Sequence, residues 1–189
     1  MSTGGPFGRG GTSELPDAAT LAQLVSNVTR VSCGATFTPA DDAARGESIC
    51  GRMVLMPFRG ERDISVVLSC DGAGARALAA GLRRADPREL TRQMIDDSIG
   101  EFLSMVSGQV QRALQIDQPI GLPRPTTLAE IAEKTGVGLR DSILLTSQGL
   151  SELSIWVFET DHSSPEAALA PRKGPGKFWS LFRKQRHRD

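Results

Sequence analysis

Four residues with the spacing of one helix side, Asp97, Glu101, Ser104 and Gly108, bring together the groups in this chain most suited to chemistry at a surface. At about 100° per residue they fall in a sector about 60° wide, flanked by Gln111 and by Met94 and Met105. Two carboxylates and a hydroxyl can simply face solvent, or can meet a partner that docks on them. Gly108 weighs against plain solvation, because glycine inside a helix costs about 1 kcal/mol relative to alanine. On the side away from the core, internal packing gives no reason to bear that cost. A bare backbone there lets another backbone or a bulky group approach closely, so the sector reads as a docking face for a second molecule.

Other constellations are weaker. Gly72-Ala73-Gly74-Ala75-Arg76-Ala77 opens a helix after an apolar run, in the outline of a dinucleotide-binding turn. Such a unit needs a second parallel strand with an acidic end about 20 residues on, and the chain continues instead into Asp86-Pro87 and another helix. The string is better explained by small residues packing a helix closely on a sheet. His162 and His187, the two histidines, sit in polar sequence, and no G-x-S-x-G accompanies them, which excludes a hydrolase triad. Three cysteines without C-x-x-C spacing suit neither a disulfide framework nor a zinc cluster. Equal numbers of basic and acidic residues, 22 of each, argue against nucleic acid as a partner of the whole domain. The N-terminus lacks the apolar stretch of a secretion signal and no run approaches a membrane span, which points to a cytoplasmic protein.

The elements that must carry the four residues can be read from caps and periodicity. Asp17 precedes the apolar stripe Leu21, Leu24, Val25 and Val28, as an N-cap would. Stretches 48–58 and 63–70 are rich in strand formers and separated by Arg59-Gly60-Glu61-Arg62, which predicts a hairpin. Asp71 caps a short helix reaching Arg84. Asp86-Pro87 is read as opening a long helix that runs to about Ile116, with Ile95, Ile99, Phe102, Val106, Val110 and Ala113 as its buried stripe. Pro119, Pro123 and Pro125 then force an extended passage. Strands 141–146 and 153–159, joined by Gln148-Gly149, close the domain as an antiparallel pair. The expected fold class is α+β, an antiparallel or mixed β-sheet with helices packed against it. Residues 15–161 form the domain, 1–14 a flexible N-terminal segment, 162–176 a linker and 177–189 a tail.

The run from Met94 to Gly108, following the strand 63–69 and the small-residue helix and followed by Gly121-Leu122-Pro123, resembles the CheX branch of the CheC/CheX/FliY chemotaxis phosphatases. The likeness extends in element order over about residues 18–160. It implies a CheC-like fold, often a homodimer, that dephosphorylates the aspartyl phosphate of a CheY-type response regulator. In that family the helix presents a Glu-x-x-Asn pair. The acid pairs with a lysine of the regulator, and the carboxamide orients the water that attacks phosphorus. Glu101 stands at the acid position and Ser104 at the position of the asparagine. The resemblance therefore implies Glu101 and Ser104 as catalytic residues, and Asp97, Met105 and Gly108 as partner-binding ones. No cofactor of the chain's own is implied, since the partner's receiver domain supplies Mg²⁺. A serine hydroxyl ends one heavy atom beyond Cβ, shorter than a carboxamide, so hydrolysis is weakened or lost while docking survives. Gln93 or Gln111 could supply the amide only to a partner docked differently. The alternative is a non-catalytic adaptor or scaffold that uses the same fold for dimerisation and recruitment.

Residues 171–189 carry seven basic side chains and one acid, a local charge of +6, which leaves residues 1–170 at −6. Phe178, Trp179 and Phe182 lie beside the basic run, and the i, i+3, i+4 spacing of Phe178, Leu181 and Phe182 suits a short amphipathic helix. Such a tail can dock in a partner groove, touch an anionic membrane surface or fold back on its own domain. With few apolar residues in the linker, deletion of residues 171–189 is expected to leave the domain folded, with Tm within about 2 °C of the full chain. A drop of 5 °C or more in a circular dichroism melt would show that the tail packs on the core.

Overall fold

In the computed structural model the residues described are 14–40, 51–135, 139–150 and 153–160. The N-terminal segment, the linker and the tail with Phe178, Trp179 and Phe182 lie outside them. The elements in chain order are α1 (Ala18–Cys33), β1 (Thr36–Pro39), β2 (Arg52–Pro57), β3 (Asp63–Cys70), α2 (Gly72–Arg83), α3 (Arg92–Leu114), β4 (Arg124–Pro125), α4 (Leu128–Thr135), β5 (Leu139–Gln148) and β6 (Leu153–Thr160). The strands form one six-stranded sheet in the order β1-β5-β6-β3-β2-β4, with every strand pairing antiparallel. The antiparallel neighbours of β3 exclude the parallel strand–helix–strand unit that a dinucleotide turn requires.

Local chemistry sets most boundaries. The Asp17 carboxylate accepts the Thr20 amide at 2.7 Å and so starts α1, while Gly34 ends it in the left-handed region at φ 69°. Asp71 does the same for α2, accepting the Gly74 amide at 2.6 Å. α3 corrects the sequence reading at both ends. Asp86 uses its carboxylate on the Arg88 amide at 2.8 Å and its carbonyl on the Glu89 amide at 3.0 Å, which makes a turn of 86–89. The helix begins after Thr91, whose hydroxyl accepts the Met94 amide at 3.2 Å. At the far end Ala113 is exposed and Leu114 is buried. The angular stripe holds over the first five turns, but the last turn meets the core with its other flank.

The two sheet faces differ. Alternate residues of β2, β3 and β6 (Met56; Ile64, Val66, Leu68; Leu153, Ile155, Val157) meet α1, α2 and α3 in one apolar core. Met53, Leu55, Val67, Trp156 and Phe158 point to the other face and pack with Ile131 of α4. That helix was not expected: eight residues, with Ile131 the buried aliphatic among the described side chains, give too short a pattern to show a period. Nor was β1, an edge strand of four residues. It is tied to α1, since the Ser26 hydroxyl accepts the Phe37 amide at 2.8 Å and the Thr29 hydroxyl donates to the Ala35 carbonyl at 3.0 Å. Where β3 begins, Arg62 and Glu159 form a two-pronged ion pair at 2.6 Å on both prongs, largely shielded from water. The carboxylate beside it holds the guanidinium above its ordinary pKa. Cys33 and Cys70 are free thiols, and burial pushes Cys70 up to about 11, which makes it a poor nucleophile at neutral pH.

α1 and α2 cross at Gly81, where a Cβ would stand 2.8 Å from the Cys33 Cα and 3.0 Å from the Ser32 carbonyl oxygen. The crossing cannot open without moving backbone. Gly81→Ala is expected to cost about 1–3 kcal/mol through this overpacking, read as a Tm lower by roughly 2–4 °C per kcal/mol. A melt unchanged within 1 °C would show that the crossing yields freely.

Candidate functional site

α3 lies over the sheet with Ile95, Ile99, Phe102, Leu103, Val106, Val110 and Leu114 buried. That underside buries apolar surface worth roughly 25 cal/mol per Å², and it leaves the opposite side no choice but to face outward. Asp97, Glu101, Ser104 and Met105 are accordingly exposed, and Gly108 is half-exposed. The structure thus brings these five sequence-predicted residues onto one accessible strip.

Charge along the strip is unevenly paired. Asp96, toward the sheet side, is held by Arg52 and lies 4.0 Å from Arg92. Among the described residues, neither Asp97 nor Glu101 has an ion pair or hydrogen-bond partner, so two carboxylates stand ready for a cation from outside. Ser104 is differently engaged. Its hydroxyl donates to the Gly100 carbonyl, four residues back, at 2.9 Å. With the one proton of that hydroxyl committed to the helix, the oxygen can only accept from a water, close to the helix surface.

Among the described residues nothing occupies the space where a side chain at Gly108 would be, with no atom within 4 Å of a Cβ placed there. No neighbour in the structure calls for a glycine there. Gly100 is the opposite case: a Cβ would sit 3.2 Å from Pro123 Cγ, so the missing side chain lets the segment 119–123 lie against the helix. That segment is pinned on its far side, with the Arg59 amide donating to the Pro119 carbonyl at 2.8 Å and the Gly121 amide to the Pro57 carbonyl at 2.7 Å. Leu122 projects from it, 79% exposed. Gly121-Leu122-Pro123 is visible in the sequence as a motif, but a leucine in a proline-broken passage shows no periodicity that would give Leu122 a role. Gln111, one alternative source of an amide, is occupied: its NH₂ donates to the Gln118 carbonyl at 2.8 Å. Gln93 is exposed at the start of α3.

No group of three or more His, Cys, Asp or Glu among the described residues is arranged to hold a metal ion, and no described helix is long and apolar enough to cross a membrane. The strip is suited to recognition by charge and shape: unpaired carboxylates, one hydroxyl at the helix surface, and a patch of bare backbone.

Comparisons with known proteins bear on the fold that carries the strip. Residues 52–138 match the family model for the chemotaxis phosphatase CheX. Among solved structures, the CheX–CheY–BeF₃–Mg²⁺ complex of Borrelia burgdorferi is similar at a TM-score of 0.53 and 15% identity, over 74% of this chain and 94% of that one. Chemotaxis protein CheX of Vibrio vulnificus is similar at 0.50 and 17%, over 74% and 92%. No curated protein sequence matches.

Replacing Gly108 with alanine removes a helix-interior glycine without a clash. Gly108→Ala is expected to stabilise the chain by about 1 kcal/mol, raising Tm by roughly 2–4 °C. A lower Tm would mean that the glycine serves the fold, and the docking argument built on it would fail.

Proposed function

From a chain whose residues 52–138 are CheX-like within a CheC/CheX-type fold, we propose that the exposed strip of α3 docks the phosphorylated receiver domain of a CheY-type response regulator. The observation that carries the reading is the Glu101 carboxylate, exposed and without a partner among the described residues, one helical turn from Ser104 and two turns from open backbone at Gly108. A lysine beside the receiver's phosphoaspartate is the complementary cation, and a charge-assisted pair to Glu101 would orient the partner. Met105 and Asp97 would contact it on either side, and the partner would bring its own Mg²⁺.

Ser104 decides how fast the phosphate is lost. Residues three apart on a helix have Cβ atoms about 5–6 Å apart, which places its hydroxyl beside the carboxylate in the position of a water-orienting group. Catalysis of this kind is positioning, with the metal and the charged acceptor on the partner. The Ser104 hydroxyl is short, and its proton is already given to Gly100. A misplacement of about 1 Å can cost on the order of 10²-fold in rate, so docking with slow hydrolysis is the function the strip supports. The same observation favours the second reading, an adaptor that binds without turnover. In both, residues 15–161 form a cytoplasmic signalling domain, paired as a homodimer, with the linker 162–176 presenting the basic tail to a partner groove or an anionic membrane.

Two measurements test this. Titration of the wild-type chain with a CheY-type receiver from the same genome, charged with Mg²⁺ and beryllofluoride, is expected to show binding that Glu101→Ala weakens roughly 10- to 100-fold, the range of a net charged hydrogen bond. Binding unaffected by Glu101→Ala would remove the strip as the docking site. In a phosphate-release assay, wild type is expected to accelerate loss only slightly and Ser104→Asn at least tenfold more. Fast release by wild type would instead show Ser104 to be a competent water-positioning residue, and no gain from Ser104→Asn would detach that position from the chemistry.

A further inference from the structure

Among the described residues, the exposed large hydrophobic side chains are Val31, Met105 and Leu122. Two of these three flank the strip of α3. Met105 lies on the helix itself, about 40° round from Glu101. Leu122 comes from a different part of the chain, and its neighbour Pro123 brings it to the other flank by resting on Gly100. The segment that carries it is held along β2 at successive points: Phe58 bridges to Ile120, the Gly121 amide donates to the Pro57 carbonyl at 2.7 Å, and Arg124 and Pro125 pair with Leu55 and Val54. Backbone held this tightly does not leave a leucine in water for want of order.

We propose that Leu122 is an apolar anchor for the same receiver domain, a specificity-determining contact that seats in an apolar depression beside the receiver's cationic site. The inference rests on the docking role of the α3 strip and adds a residue from outside that helix to it. Its basis is continuity. An acidic strip with unpaired carboxylates selects a basic partner surface, and an exposed leucine 79% open to solvent, held rigidly at the margin of that strip, gains most when the same partner covers it. Charge alone would accept many basic surfaces, whereas a fixed leucine one residue from the helix contact demands a matching hollow at a set distance. Rigidity adds to the effect, since a pre-ordered side chain has little freedom left to lose on binding. Val31, on α1 and equally exposed at 81%, is not part of the α3 strip and serves as the internal control.

The test is a titration of the full-length chain with the Mg²⁺- and beryllofluoride-charged receiver, comparing wild type, Leu122→Ser, Val31→Ser and Glu101→Ala, each checked for an unchanged melt. Leu122→Ser is expected to raise Kd at least tenfold, while Val31→Ser leaves it within twofold. A receiver from a distant homologous system, bound more weakly by wild type, should lose less on Leu122→Ser than the native one does. If Glu101→Ala weakens binding and Leu122→Ser does not, the docking strip stands and the anchor is overturned. Equal losses from Leu122→Ser and Val31→Ser overturn it as well, because they would reflect general surface apolarity. If wild type fails to bind the charged receiver at all, the docking role itself falls and takes the anchor with it.

Discussion

Everything in this molecule depends on one helix having two unlike sides. The burial of Phe102, Leu103, Val106 and Val110 against the sheet sets the rotation of α3 about its own axis, and that rotation decides what faces out. A helix is rigid enough that fixing one side fixes the other to within a few degrees per turn. The outward placement of Glu101 is therefore produced by apolar residues that never touch a partner. Polar groups of α3 that do turn inward, Ser98 and Ser107, are small, and Ser98 is satisfied by the Met94 carbonyl and by Arg83. The distinction between an inward and an outward serine on the same helix is entirely one of angle.

The surroundings of α3 reinforce this orientation from two directions. On one flank α2 reaches it through Arg83, whose guanidinium bonds both the Met94 carbonyl and the Ser98 hydroxyl. On the other, Pro123 fills the notch at Gly100. These are contacts to backbone or to groups adjacent to it, which resist sliding more than side-chain packing alone does. Two glycines on one helix thus serve opposite ends. Gly100 is covered, and its lack of a side chain closes the structure on itself, while Gly108 is open, and its lack of a side chain is of use only to something arriving from outside.

Much of the fold was legible in the sequence, and the reasons are local. Asp17 and Asp71 are short acceptors ahead of apolar periodicity, and each caps the expected helix. The central hairpin and the closing pair through Gln148-Gly149 follow from strand-forming runs with a turn between them, and Gly149 does take the positive φ that the turn needs. The strip on α3 was legible because a period of 3.6 sorts residues by side without knowledge of what packs where. What could not be read depends on tertiary partners. Asp86-Pro87 resembles a helix start, but Thr91 wins because Asp86 is spent on its own turn. Ala113 lies at the right angle for burial, yet among the described residues no element covers the last turn of α3 on that flank. α4 and β1 are too short to announce themselves, and each exists by leaning on something distant, the second sheet face in one case and Ser26 in the other. The resemblance of residues 94–108 to CheX proteins supplied the chemistry that the spacing alone left open, and the family match over 52–138 bears on that same stretch.

The two margins of the sheet have a consequence for how copies of this chain can meet. β1 is four residues long and ends in Pro39, and β4 is two residues long and ends in Pro125. A neighbour seeking to pair with β1 or β4 would find few free amides on them, because proline supplies none and a strand this brief supplies hardly any. Extension of the ladder from β1 or β4 themselves is thus poorly supported. A contact made through β1 or β4 would lean on side chains more than on main-chain rungs.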